Sequence, residues 1–499
     1  MKYSKVDLRK NKLHYPLSKP GTTGKNESES ETFMGGTFWR EHALRDLIPY
    51  WYEHIRDEKH GAFHTNLSQE WQPLPPWDKV PAMISRNVFG FSAAYLLSGE
   101  MKYLEVAREG ADYLMRYAWD KKYGGWFDRL TRSGEPKAAA KSVGLQLYTN
   151  VGLIMYYFTT RDKRALSYVK SSIEIQQTYG YDNEFGGYYQ ELNRDLSVKD
   201  SGKNKHAHFG YVGSLLLNFW LCTRSTEILK WECNLTDLSL EKMIDSEEGW
   251  INGYVSQFDR QWNLIPGIVD GKEVVHIGAQ LTAALSFLRL YHQTGNAFYF
   301  EKGKTLGDKI NRYGWESESG GWFELVERTC AYRPVAQPEV QWWIQMYGSF
   351  LQLQLYRLTN DSQYLERFKK SEDFFFRYFI DRERGSIFSA VSSEGAQIGD
   401  TRKAREWRTS YHEMEHALLN HLYVNLYINR EPVTLYFMLY DTGPSEKHFV
   451  SPVDDPSVQI TEVKINGQQW AQFNAFERSV TLPEGKNFKV EVLLKSKDL

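Results

Sequence analysis

Asp120-Lys121-Lys122-Tyr123-Gly124-Gly125-Trp126-Phe127 is one of six copies of a short pattern: an acidic residue, three residues, a glycine, then usually an aromatic pair. The other copies are Asp57…Gly61, Asp182…Gly186, Asp245…Gly249, Glu316…Gly320 and Asp381…Gly385. Their acidic residues stand 63, 62, 63, 71 and 65 residues apart. Self-similarity at a near-constant period is the signature of a repeat architecture. Two further copies carry the double glycine in full, Gly186-Gly187-Tyr188-Tyr189 and Gly320-Gly321-Trp322-Phe323. Such glycines supply the positive φ of a tight turn, and the aromatics that follow suit a short strand.

Two helical stretches fit between successive turns. Over residues 81–117, apolar side chains recur at helical spacing (Val88, Phe91, Ala94 and Tyr95, then Tyr103, Val106, Ala111 and Leu114), and Ser98-Gly99 separates the two helices. The same plan recurs over residues 144–179, 206–244, 276–312 and 339–378, with a single helix over 407–428. A helix over 37–55 pairs with that last one and closes the set. The fold class is therefore an all-α main domain, an (α/α)6 barrel or six-hairpin toroid, with the first helix of each pair inside. An open solenoid of the same repeats fits less well, because the repeat number matches closure and no terminal capping repeats stand out. The starts of the inner helices and the Gly-aromatic turns should surround one central pocket.

From Pro432 the pattern changes. Residues 433–440, 458–465, 479–482 and 488–494 read as strands, with Asn466-Gly467 as a hairpin turn. The expected organisation is a flexible extension over 1–34, the barrel over 35–430 and a small C-terminal β domain over 431–499.

The 499 residues carry a formal net charge of −2 and no basic stripe, which argues against nucleic acid as a partner. No stretch reaches membrane-spanning length. The polar, basic start is unlike a secretory signal, and residues 21–31 read as flexible. Cys222, Cys233 and Cys330 show no metal-type spacing and no even framework, so reduced thiols of a cytoplasmic protein are expected, with no metal. Aromatic residues make up 15% of the chain, with 16 Trp and 32 Tyr. Those after the turn glycines either pack the core or line a rim where rings stack on sugars.

The inner helices hold the polar groups able to do chemistry. Arg86 lies on the first, Lys141 and Gln146 open the second, and Asn204-Lys205-His206-Ala207-His208 opens the third. His276 opens the fourth, Trp342-Trp343-Ile344-Gln345 the fifth, and Trp407-Arg408-Thr409-Ser410-Tyr411-His412 the sixth. Four histidines at corresponding positions of three helices point to a site rather than to scattered core residues. His206 and His208 project about 200° apart on a helix, so only one of them faces the pocket well.

These motifs, in this order on this repeat, resemble the N-acylglucosamine 2-epimerase superfamily, in particular its cellobiose 2-epimerase branch. The resemblance spans roughly residues 35–430. The matching stretches are Ser85-Arg86-Asn87-Val88-Phe89, residues 204–208, Trp342 to Gln345, residues 407–412, and the loop Phe258-Asp259-Arg260-Gln261-Trp262. The resemblance implies a cofactor-free enzyme acting on a mono- or oligosaccharide, with a homodimer left open. It implies that His276 and His412 exchange the C2 proton through an enediolate. Arg86 would hold the enediolate oxygen and His208 would assist ring opening. Trp343, Gln345, Tyr347, Asn204, Tyr211 and Trp407 would bind the sugar.

The chain departs from the family where carboxylates are usual: Tyr211, Ala279 and Tyr347 stand there, and Glu415 replaces an arginine. Carboxylates raise and fix histidine basicity, so the acid/base poise should differ. An epimerase or isomerase is the first expectation. A lyase cleaving a uronate-containing glycan by β-elimination, with Tyr211 and Tyr347 as gained groups, is an alternative. So is a non-catalytic sugar-binding protein. Glycosidic hydrolysis would need two spaced carboxylates, with Glu324, Glu339 and Glu413 as candidates.

Overall fold

In the repeat turns, the acidic residue and the glycines close a tight loop. Asp120 N–H donates to Gly125 O, Gly124 N–H donates back to Asp120 O, and both glycines have φ near +76°. The aspartate side chain has a second task. Asp57, Asp120, Asp182 and Asp381 each pair with a buried lysine, Lys79, Lys141, Lys203 and Lys403, at 3.4, 3.3, 3.1 and 2.7 Å. Each lysine lies 21 or 22 residues downstream, in the segment leading to the next inner helix. Arg132, Arg194 and Arg260 cover the same three first aspartates from the following repeat. The acidic residue of the pattern is thus an electrostatic pin between neighbouring repeats.

The structure is a computed structural model that describes residues 32–328, 332–335, 339–442 and 446–497. The expected flexible stretch at 21–31 and Cys330 lie outside the described residues. Helices α1 (Phe38–Glu41) and α2 (Ile48–His54) are joined by a π-helical stretch, His42–Leu47. Then come α3 (Pro81–Ser98), α4 (Met101–Tyr113), α5 (Val143–Thr160), α6 (Lys163–Ile175), α7 (Leu217–Thr223), α8 (Thr226–Met243) and α9 (Ile277–Thr294). The last four are α10 (Ala297–Tyr313), α11 (Trp342–Thr359), α12 (Ser362–Tyr378) and α13 (Tyr411–Tyr423). A π-helical stretch, Tyr211–Leu216, leads into α7.

Helix contacts run α3 to α5, α5 to the Tyr211–Leu216 stretch, that stretch to α9, α9 to α11, α11 to α13, and α13 back to α3. Each of these helices carries its successor on its outer side, and α13 carries α1. The two sets differ in sequence as their positions require. In α3 every residue from Pro81 to Leu97 is buried, whereas α4 buries one stripe that includes Tyr103, Leu104, Ala107 and Ala111. At Gly152 a Cβ would lie 1.8 Å from Ser85 O, so α3 and α5 approach closely only because that position is glycine.

The histidines of the third repeat sit in a turn before the helix rather than on it, and α13 starts at Tyr411 rather than at 407. Short hairpins that the sequence reading did not anticipate join the turns to the inner helices. Across two of them, Lys272–His276 pairs with Leu325–Glu327, placing His276 opposite Leu325. The aromatics after the turn glycines are core rather than rim: Trp126, Tyr188 and Trp322 are fully buried.

The C-terminal strands form an antiparallel four-stranded sheet ordered Val433–Thr442, Gly485–Ser496, Val458–Ile465, Gln468–Gln469, with Asn466-Gly467 at positive φ as the tight turn. A smaller sheet joins Lys447–Phe449, Ser479–Thr481 and Phe473–Asn474. These strands pack on the C-terminal ends of the inner helices. Strand Val433–Thr442 contacts α3 and α5, Arg289 of α9 pairs with Asp454 at 3.0 Å, and Arg357 of α11 pairs with Asp455 at 2.9 Å. One end of the helical ring is therefore covered, and the helix N-termini remain to form a site.

Candidate active site

All six inner helical segments, with the turns that lead into them, contribute to a cavity of about 350 Å³. His412, in the first turn of α13, lines it. Its Nε2 lies 2.5 Å from Arg86 Nη2. A guanidinium can only donate, so Nε2 accepts and the imidazole proton is on Nδ1. That Nδ1 faces Glu415 Oε2 at 3.5 Å. Glu415 in turn accepts from Tyr411 at 3.0 Å and from Tyr347 at 3.1 Å. Burial, then the charges of Arg86, Arg408 and Lys205, holds His412 well below the usual histidine range, so it is neutral, with an unprotonated Nε2 engaged by Arg86. Arg86 also donates to Trp407 O at 3.3 Å, and its guanidinium lies over the Tyr411 ring at 4.9 Å.

His276 caps α9 through Nδ1, which accepts from Ala279 N–H at 3.1 Å. Its proton is therefore on Nε2, which faces Glu324 Oε1 at 3.6 Å. Burial lowers its pKa to about 3, with a further push from Lys205. The Trp343 indole lies near-parallel to both imidazoles, 5.7 Å from His276 at 18° and 6.0 Å from His412 at 25°. It reaches this place because residue 278 is glycine: a Cβ there would stand 2.2 Å from Trp343 Cη2. The Tyr254 ring lies 3.9 Å from His276, tilted by 32°, so the imidazole sits behind these rings rather than on the cavity wall.

In the third repeat it is His206 that lines the cavity, stacked near Trp407 at 6.2 Å, with Nδ1 buried and unbonded. His208 is fully buried with both nitrogens engaged. Nδ1 donates to Asn204 O at 2.6 Å, and Nε2 accepts from Tyr188 N–H at 3.1 Å. The same clamp is built from glutamine elsewhere. Gln146, Gln280 and Gln345 each bond the backbone of the residue after a repeat turn, at Trp126, Ile251 and Trp322. His208 and Gln345 are thus parts of the repeat scaffold, and comparing the first turns of the inner helices would have revealed it.

Two other expected sugar-binding residues also lie off the cavity. Asn204 bonds Gln190 and caps Ala207, and Tyr211 is buried flat against Tyr188 at 5.4 Å and 5°. Trp343, Tyr347, Trp407, Arg86 and His412 do line the cavity, joined by Lys205, His206, Tyr148, Tyr254 and Glu324. The lysine and His206 stood in the quoted run, but the motif drew attention to its last histidine.

The hydrolase candidates do not form a spaced pair. Glu413 is buried in an ion pair with Arg408 at 2.7 Å and bonds Trp51 and Ser386. Glu324 and Glu339 share one donor, Gln341 Nε2, at 2.8 and 3.4 Å, so they are one bridged pair rather than two carboxyls flanking a glycosidic bond. Among the described residues, no group of three or more His, Cys, Asp or Glu is arranged to hold a metal. No helix there is long and apolar enough to cross a membrane. Cys222 and Cys233 are free thiols, the first of them buried.

The sequence profile of the N-acylglucosamine 2-epimerase family matches residues 61–415. The chain belongs to this family. It is 24% identical over 378 residues to a cellobiose 2-epimerase of Bacteroides fragilis, covering 73% of this chain and 93% of that protein. Among solved structures it resembles cellobiose 2-epimerase of Spirochaeta thermophila, with a TM-score of 0.69 at 20% identity, over 78% of this chain and 96% of that one. It resembles a D-mannose isomerase equally, with a TM-score of 0.69 at 19% identity, over 78% and 98%. Ala279 and Tyr347 stand where the family pattern read from sequence has carboxylates, and two other glutamates lie beside the imidazoles. Glu324 faces His276 from the neighbouring hairpin, and Glu415 faces His412 from its own helix.

Proposed function

We propose that this protein is a sugar epimerase or isomerase that moves a proton beside the carbonyl of an open-chain reducing sugar. The ring of inner helices is read as an (α/α)6 barrel over residues 35–430, with residues 431–499 as a separate β domain closing its far end. The observation that carries the reaction is the His412 imidazole, neutral, with its Nε2 lone pair held beside the Arg86 guanidinium. In the reaction, the Arg86 N–H turns from Nε2 to the sugar carbonyl oxygen, the freed Nε2 takes the C2 proton, and the electron pair moves to that oxygen. The resulting enediolate oxygen lies against Arg86, which stabilises it in a buried site. His276, on a different inner helix with its Nε2 facing Glu324, returns a proton only as the imidazolium and ends neutral, because the neutral ring would have to leave as an imidazolate. Return of a proton to the opposite face of C2 gives the epimer, and delivery to C1 gives the ketose. His412 is open to the cavity, whereas Trp343 and Tyr254 cover His276, and sugar reaching that imidazole displaces or stacks on the indole.

The test is incubation with a panel of reducing sugars in D2O. Deuterium entering C2 is expected, and its loss in His412→Ala. Full exchange in that variant would remove His412 from the mechanism.

A further inference from the structure

The proton-transfer scheme uses Arg86, His412 and His276 and leaves one cavity residue without a task. Lys205 is 3% exposed and lines the cavity. The lysines of the repeat pins each sit against an aspartate, but no carboxylate of the described residues lies within 4 Å of Lys205. Its amine nitrogen lies over the face of the Tyr254 ring, at 5.7 Å. Arg86 is alike in this respect. Its charged neighbours within 4 Å include no carboxylate, and its Nε is buried without an acceptor. Arg405, the third cation on the wall, is already paired with Asp400 at 3.4 Å. Glu324, the acid on the wall, accepts from Gln341 at 2.8 Å and faces His276.

Lys205 and Arg86 therefore both line the cavity with no carboxylate of the described residues within 4 Å of either. Burying an ammonium without a counter-charge is costly, and a neutral sugar filling this cavity would exclude the remaining water and leave the cost standing. An anionic group at Lys205 removes it. Burial holds the Lys205 pKa down to about 7, so a bound anion would also draw the amine fully into its charged form.

We propose that the substrate is an acidic sugar whose anionic group, a carboxylate or a phosphate, is bound by Lys205 in the field of Arg86. This rests on the epimerase or isomerase reading of the same cavity.

Melting temperature measured against increasing D-glucuronate, D-glucose 6-phosphate and D-glucose tests it. At least one acidic sugar should bind about tenfold or more tighter than glucose. A preference for glucuronate identifies a carboxylate, and one for the 6-phosphate identifies a phosphate. Lys205→Met should bring the acidic sugar down to the affinity of glucose, while Lys205→Arg keeps the preference. Glucose binding as tightly as both acidic sugars overturns the proposal, and so does an undiminished preference in Lys205→Met. If Lys205→Met fails to fold, as judged by its ligand-free melting curve, Lys205→Gln against Lys205→Arg decides in the same way. Deuterium exchange at C2 is read separately. Acid preference without exchange counts against the reaction, and exchange without acid preference counts against Lys205.

Discussion

Arg86 Nη2 stands 2.5 Å from His412 Nε2, a contact across the α3–α13 boundary that joins the two ends of the repeat region. It fixes which imidazole nitrogen is unprotonated and keeps a cation where an enediolate would form. Arg86→Met should lower kcat by about 10²–10³-fold, the usual cost of losing a buried donor to a developing oxyanion. It should also move the pH profile. Burial depresses the His412 pKa first and Arg86 adds to it, so the neutral base persists as pH falls through the ordinary histidine value. The wild-type acid limb in kcat/KM should therefore lie below pH 6.5, and the variant's limb should shift upward towards it. An unshifted limb would mean that Arg86 does not set this titration.

His206 and His208 should respond in opposite ways to substitution. His208 makes the backbone clamp that glutamine makes in other repeats, so His208→Gln can keep the bond to Tyr188 N–H. Activity within a few-fold of wild type is expected. His206→Ala removes a ring from the cavity wall and should lower kcat/KM by about tenfold or more. The reverse pattern in a side-by-side assay would return the role to His208.

Much of the fold was legible because the repeat turns obey local rules. Glycines at positive φ and helical apolar spacing located most of the helix pairs to within a few residues. The site was legible only as a neighbourhood. Glu324 reaches His276 through a strand pairing between hairpins about fifty residues apart in the chain, which no periodicity records. The choice between His206 and His208 depended on a turn where a helix was expected. The pins between aspartate and lysine were present at a fixed offset, but their meaning needs burial, and burial is a tertiary property.

Gly278 sets the position of Trp343. Gly278→Ala would put a Cβ 2.2 Å from Cη2 of the indole, and because this contact is to a ring on a packed helix, the ring itself must move. The stacking on His276 and His412 should be disturbed together. We expect a stability cost of about 1–3 kcal/mol by urea denaturation and a fall of about tenfold or more in kcat/KM. Retained activity would show that the indole position is not needed for turnover.

Acid should weaken the fold before most carboxylates of the pins protonate. His206 and His276 have pKa values lowered to about 3, by burial first and by neighbouring charges second. In the unfolded chain they titrate near 6.5. Their neutral forms therefore contribute stability fully above pH 6.5, and that contribution is lost as pH falls towards 3. At Asp57, burial pushes the carboxyl up, but Arg132, Lys79 and His64 outweigh it and leave the value at about 2. Its share is present above pH 4 and is lost only near pH 2. Melting temperature should decline from pH 6.5 downward; a flat profile to pH 4 would contradict the buried neutral histidines.

The pins themselves can be tested at Asp182, which bonds Lys203 at 3.1 Å and Arg260 at 3.0 Å. Lys203 is fully buried, so Asp182→Asn leaves an ammonium with no counter-charge in a repeat junction. Removing one partner of such a pair costs about 3–5 kcal/mol, because the remaining charge stays desolvated. Asp245 offers the control. Its partner Arg328 and its own carboxylate are 17% and 20% exposed, and water can take over part of the lost interaction. Asp182→Asn should therefore destabilise by clearly more than Asp245→Asn in urea, although the two residues hold the same place in the repeat. Equal losses would mean that the turn, with its backbone bonds from Gly186 and Gly187, matters more than the ion pair.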